Sequence, residues 1–190
     1  MTIVRTIALT ALLLLLAACH SSADTYIEEV GDGVYWTDTT SGSVVVLAGT
    51  ITETKVDEVL AIIHADEELQ MVALLQSEGG QVLPAYRLGR AIKARGLYTL
   101  ARGYCYSACV DVLAAGNISM VYSDTVIGLH APSRDTIETR ERDLRYYADI
   151  NMIQMYGLTY STPNDKIKKY SATEARDLGI ISTIIWRNSQ

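Results

Sequence analysis

The chain has 190 residues, 49% of them hydrophobic and 20% charged, which is enough apolar material for one globular domain of ordinary size. Its 16 basic residues are outnumbered by 22 acidic ones and form no dense Lys/Arg run, so it lacks the electrostatic footprint of a nucleic-acid-binding protein.

The first eighteen residues, MTIVRTIALTALLLLLAA, carry one arginine and then an apolar stretch too short and one-sided for a membrane span; they read as an export signal. The following LAAC, ending at Cys19, resembles the lipobox of bacterial lipoproteins, in which the cysteine takes lipid and becomes the new N-terminus. The alternative is an ordinary secretory signal cut near residues 21–23. Either reading sends the protein out of the cytoplasm, and the first implies a lipid anchor in the cell membrane or outer membrane. Residues 19–42 are polar, contain glycine and lack sustained periodicity, so they are expected to form a tether leading into a domain that spans 43–190.

The β-branched run SVVVLAGTIT predicts a buried strand. In TKVDEVLAIIHADEE, Val56, Val59, Leu60 and Ile63 fall at helical spacing with acids on the opposite face. LQMVALLQ reads as a second buried strand and runs into SEGG, and LPAYRLGRAIKARG has Pro near a helix start and Gly96 just past its end. LYTLAR, ISMVYS and TVIGLHAPS are further strand candidates. Between the first and second of these, GYCYSACVDVLAAG reads as strand, turn and helix. Residues 136–156 predict one long helix, charged in its first half and apolar in its second, and YSATEARDLGIISTII a short serine-started helix followed by a last strand. Strands alternating with helices predict an α/β domain with mainly parallel pairing.

Three features occur in order: a Gly-Gly turn at 79–80, Ser107 at a strand-to-helix turn, and His130 at the end of a later strand. Acyl transfer needs such parts, because a hydroxyl must pass its proton to a base and the developing oxyanion must meet fixed N–H donors. The blander reading of Ser107 is a helix N-cap. Of the other two histidines, His20 lies in the tether and His64 at a predicted helix C-terminus. Cys105 and Cys109 are either a disulfide, permitted in an oxidising compartment, or two small buried thiols, since side chains four apart in a regular helix do not usually reach bridging geometry.

Over residues 46–185 the order and flanking residues resemble the proteolytic subunit of the Clp protease and, more broadly, the ClpP/crotonase superfamily. The likeness lies in the Ser-X-Gly-Gly turn at 77–80, Ser107-Ala108, AAG at 114–116, His-X-Pro at 130–132 and YSATEARDLGIIS at 170–182. It implies a stacked ββα-unit fold with a mainly parallel sheet, Ser107 as nucleophile, His130 as general base, and the N–H groups of Gly79 and Ala108 as oxyanion hole. The chain departs from the family where Cys109 replaces a glycine, a form that looks like exported relatives of the Clp protease. It departs again where the family's aspartate falls, by direct count, on Ile167. Asp165 is the nearest acid, Asp111 and Asp177 are alternatives, and a Ser–His dyad is a further one.

The resulting expectation is a membrane-tethered, extracytoplasmic serine peptidase that needs no metal, cofactor or ATP, acts on peptides or unfolded polypeptides, and assembles as a homo-oligomer. The apolar residues Ile150, Ile153, Met155 and Tyr156 are the expected subunit contact. The alternative is a catalytically silent binding or scaffold module. Acyl-CoA chemistry of the crotonase branch is disfavoured by the export signal and by a Ser/His pair in place of catalytic acids.

Overall fold

The computed structural model describes residues 31–40 and 42–186; the stretch expected to be an export signal, Cys19 and the first part of the expected tether lie outside the described residues. Strands β1 (Gly33–Thr39), β2 (Gly42–Ala48), β3 (Leu69–Ser77), β4 (Tyr98–Tyr106), β5 (Ser119–Tyr122), β6 (Val126–Leu129), β7 (Lys168–Tyr170) and β8 (Thr183–Ile185) form one sheet. The helices are α1 (Glu53–Ala65), α2 (Val82–Arg95), α3 (Ala108–Ala114), α4 (Ile137–Asp149), α5 (Gln154–Tyr160) and α6 (Ala172–Asp177). The sheet order is β1-β2-β3-β4-β5-β8, with β6 paired to β4 and β7 to β6. Among the described residues only the β1–β2 and β6–β7 pairings are antiparallel, so the expected α/β class with mainly parallel pairing holds.

The first two predicted helices and the last form for the expected physical reasons. Val56, Val59 and Ile63 of α1 are fully buried, each burial contributing about 1.5–3 kcal/mol of transfer free energy. Thr52 caps the helix by accepting the Lys55 N–H, and α2 ends at Gly96 in the left-handed conformation, φ 65°. Ser171 and Glu174 form a reciprocal capping box at the start of α6.

Two expectations are corrected. Residues 33–39 are not tether but a strand, in register with β2 from Gly33 against Ala48 to Thr39 against Gly42. Asp66, just beyond α1, fixes this polar strand: it accepts from Trp36 Nε1 at 2.8 Å and from Ser43 Oγ, and these bonds lower its pKa. The single long helix is also broken, because Asn151 takes φ 59° between α4 and α5. The break turns Ile150 and Met155 into the core, 1% and 0% exposed, while Ile153 stays 53% exposed.

Candidate active site

Parallel β3 and β4 deliver the Gly-Gly turn and the serine to the same end of the sheet. Their register slips near that end, Leu75 facing Arg102 but Ser77 facing Cys105, with Gln76 at φ 45°. This bulge re-aims the strand tips. The chain then turns into α3 at Ser107, whose φ 53° and ψ −127° lie outside the regions open to an L-residue, at a cost of about 1–3 kcal/mol.

Local bonds hold that conformation. Ser107 N–H donates to Gly128 O and Val110 N–H to Ser107 O, both at 2.8 Å. Cys105 and Cys109 are joined by a disulfide with a Cα–Cα separation of 5.3 Å. The bridge that a regular helix would strain to accommodate closes here because Cys105 belongs to the strand and Cys109 to the first turn of the helix. Ser107 makes no capping hydrogen bond with its side chain, so the hydroxyl is not spent on helix α3.

His130 reaches the elbow through sheet register. The last residues of β4 pair with β6, Tyr106 opposite Gly128, and His130 follows two residues later. Its Nδ1 lies 2.8 Å from Ala131 O, and Ala131 N–H is in turn held by Thr162 O at 2.8 Å. With the proton on Nδ1 donated to that carbonyl, Nε2 keeps the lone pair a general base needs. Ser107 and His130 line one cleft, with Val82, Leu129 and Pro132 on its walls. No hydrogen bond joins Ser107 Oγ to His130; bonds between a nucleophile and its base often tighten only around substrate.

A residue that reasoning from sequence missed lies beside the imidazole. Asn164, not Asp165, approaches the imidazole: its Nδ2 lies 3.2 Å from His130 Nδ1 and donates to Ala131 O at 3.0 Å. No hydrogen bond or ion pair links Asp165 to His130. A search for ionisable residues passes over an asparagine, and the only signal was its place beside Asp165 in the PND segment. Asp177 pairs with Arg176 on the surface of α6 and takes no part. Asp111 lines the cleft but points to Tyr147, whose hydroxyl donates to its Oδ1 at 2.7 Å. A neutral amide orients the ring's surroundings without stabilising an imidazolium as a carboxylate does.

Gly79 and Ala108 are neighbours: a Cβ built on Gly79 would lie 2.6 Å from Tyr106 O, 2.8 Å from Ser107 Cβ and 3.0 Å from Ala108 N. The Gly79 N–H, however, donates to the buried Ser77 hydroxyl at 3.2 Å. The Gly80 N–H has no acceptor among the described residues. Nor has that of Ala108, the first residue of its helix. Of the two glycines it is therefore Gly80 whose amide is free for a ligand oxygen.

Below the elbow the cleft closes on a polar aromatic floor. Tyr86 and Tyr146 stack with centroids 3.8 Å apart, and Tyr146 donates to Asp111 O at 2.6 Å. Burial keeps Tyr86, Tyr146 and Tyr147 protonated far above the usual phenol range, so each has a proton to donate, and Tyr147, which gives its own to Asp111, accepts from Thr159 Oγ1 at 2.9 Å. Burial likewise pushes the Asp111 carboxyl up to about 7. Asp143, almost fully buried, is bound by Arg142 at 2.6 Å and by Tyr160 at 2.8 Å. Among the described residues no cluster of His, Cys, Asp and Glu is arranged to hold a metal ion, and no helix is long and apolar enough to cross a membrane.

No protein-family model matches the sequence, and no curated protein matches it. Solved structures do. ClpP1 from Listeria monocytogenes aligns over 76% of this chain and 92% of its own, at 21% identity and a TM-score of 0.59. The ClpP protease catalytic domain from Plasmodium falciparum covers 77% and 86%, at 17% identity and 0.58. An enoyl-CoA hydratase/isomerase family member covers 82% and 71%, at 17% identity and 0.59. The fold is that of the ClpP/crotonase superfamily. Since peptidases and a CoA-enzyme family member share it, the fold alone does not name a reaction.

Proposed function

We propose that this chain is a serine hydrolase of the peptidase kind, acting on short or unfolded peptides outside the cytoplasm. The observation that carries the reading is one cleft lined by an elbow serine with an unspent hydroxyl and by a histidine whose Nδ1 faces a backbone carbonyl. Ser107 Oγ attacks the substrate carbonyl as its proton passes to His130 Nε2, and the oxyanion meets the amides of Gly80 and Ala108. The C–N bond then breaks with return of the proton to the leaving amine, and water releases the acyl group by the same base. Ala131 O accepts from the ring throughout, in the place where a carboxylate commonly stands.

The disulfide beside Ser107 supports folding in an oxidising compartment, consistent with the apolar leader and with lipid attachment at Cys19. Exposed Ile137, Leu144, Ile153 and Ile167 supply apolar surface for assembly of several copies. The competing reading, a silent binding module, is favoured by two observations: Ser107 and His130 share no hydrogen bond, and no carboxylate backs the histidine.

A neutral fluorophosphonate decides between them. The full chain should be labelled at Ser107 and nowhere else, with the label lost in Ser107→Ala and strongly reduced in His130→Ala. A folded protein that stays unlabelled at neutral and mildly alkaline pH rules out the hydrolase.

A further inference from the structure

We propose that Asp111 is a positioning residue of the hydrolase read above: it faces His130 across a cavity that admits one water, and it stabilises the imidazolium formed when Ser107 gives up its proton. The inference rests on that reading and adds a residue to it.

Asp111 lies one turn of α3 beyond Ser107, and helical side chains lean towards the N-terminus of their helix, so its carboxyl leans back towards the elbow. Ser107, Asp111 and His130 there line one cavity of about 20 Å³, room for a single water and too little for a substrate side chain. A water bonded to groups on both sides spans roughly 5.6 Å, a distance at which opposite buried charges still attract strongly. The atoms left to meet are the right ones. Tyr147 donates to Asp111 Oδ1 at 2.7 Å, while Oδ2 has no hydrogen-bond partner among the described residues and is not among the sealed, unbonded atoms, so it keeps surface towards the cavity. His130 Nδ1 is engaged by Ala131 O, which leaves Nε2 for the cavity.

The other groups around Asp111 leave its charge uncompensated. Tyr86 on α2 and Tyr146 and Tyr147 on α4 are held protonated by burial and so are neutral. Arg142 on α4 pulls on Asp111, but it is bound to Asp143 at 2.6 Å, and the pull does not offset the cost of burial that raises the proton affinity of Asp111. Among the residues lining the cavity, His130 alone can become a cation. As Ser107 Oγ bonds to the substrate carbonyl, its proton passes to Nε2, and the positive charge so formed lies across from Oδ2. The carboxylate gains a counter-charge and the imidazolium gains an anion, until the ring returns the proton to the leaving amine and is neutral again.

The coupling can be read without catalysis. Histidine side-chain nitrogens and aspartate carboxyl carbons of the full chain are titrated by NMR from about pH 5 to 9, the His130 and Asp111 signals being identified by their loss from His130→Gln and Asp111→Asn. In Asp111→Asn, which keeps an acceptor for Tyr147, His130 should bind its proton at least about threefold less tightly. In His130→Gln the Asp111 carboxyl should bind its proton more tightly by a similar factor, because the coupling is reciprocal. An Asp111 that only supports the fold would change stability and leave the proton affinity of His130 where it was. A titration of either group that is unmoved by loss of the other, or moved in the opposite direction, overturns the inference; should Asp111→Asn fail to fold, His130→Gln alone decides. Fluorophosphonate labelling at pH 8.5 should be at least about threefold faster in the wild type than in Asp111→Asn, a ratio that closes as the pH falls through 7, and equal rates at pH 8.5 also overturn the inference. Labelled wild-type protein with no coupling removes the part of Asp111 alone, whereas coupling without any labelling removes the hydrolase and leaves the charge pair.

Discussion

Replacing Gly79 by alanine tests whether the elbow depends on the close approach of the Gly-Gly turn. Gly79 sits at φ 93°, where an L-side chain costs about 1–2 kcal/mol. Its new Cβ would meet Tyr106 O at 2.6 Å and Ser107 Cβ at 2.8 Å, contacts that backbone and elbow can relieve only by moving. Forced overpacking of this kind costs about 1–3 kcal/mol more. The expected loss is therefore about 2–5 kcal/mol, against about 1 kcal/mol for Gly96→Ala, which has φ 65° but no atom within 4 Å of the added carbon. Urea unfolding followed by Trp36 and Trp186 fluorescence gives the stabilities, and at an m-value of about 2 kcal/mol per molar the midpoints should fall by roughly 1–2.5 M and 0.5 M. Fluorophosphonate labelling of folded Gly79→Ala should drop by at least tenfold, because displacement of a nucleophile by a fraction of an ångström degrades its attack geometry. A Gly79→Ala protein as stable as Gly96→Ala and labelled at the wild-type rate would refute the contact argument.

Three other outcomes are expected. Replacing both Cys105 and Cys109 by serine removes a short cross-link, worth about 2 kcal/mol in the chain-entropy treatment, and should lower the urea midpoint and alter the labelling rate while leaving Ser107 the labelled residue. Asn164→Asp puts a carboxylate within reach of His130 Nδ1, which stabilises the imidazolium formed during attack; labelling at pH 8 should rise several-fold, and a fall would mean that the amide's bond to Ala131 O matters more than charge. Asp111, with a pKa raised from 3.8 to about 7 in the folded protein, binds more protons folded than unfolded between those values, so its contribution to stability is lost as pH rises through that window. Urea midpoints of Asp111→Asn should therefore decline less between pH 4.5 and 7.5 than those of the wild type.

The elements legible in the sequence are those that bury their own side chains. Val45, Leu47, Val72 and Leu74 announce central strands because both faces of the sheet are covered there, and the helix α1 pattern announces a single apolar face. The strands β1 and β7 were not legible, since GVYWTDT and KKY are mostly exposed edge segments that rely on backbone pairing with β2 and β6. The break between α4 and α5 was hidden because Asn151 carries it, with no Gly or Pro to mark it. In the site, Ser107 and His130 were legible from their order along the chain, and register brings them to one cleft. Asn164 and Gly80 were not, because their parts depend on which way an amide points, and composition does not encode that.

Strand β4 serves two masters along its length. Thr99, Leu100 and Ala101 are paired by β5, while Tyr104, Cys105 and Tyr106 are paired by β6, itself propped at its outer side by the three residues of β7. One strand thus joins two cooperative units of unequal robustness. Amide hydrogen exchange is therefore expected to be faster over residues 104–106, paired on this side by the short β6, than over residues 99–101. The β6–β7 pair carries Gly128 O against the Ser107 amide and leads into His130, so the half of the strand expected to exchange faster is the half that brings Ser107 and His130 to one cleft.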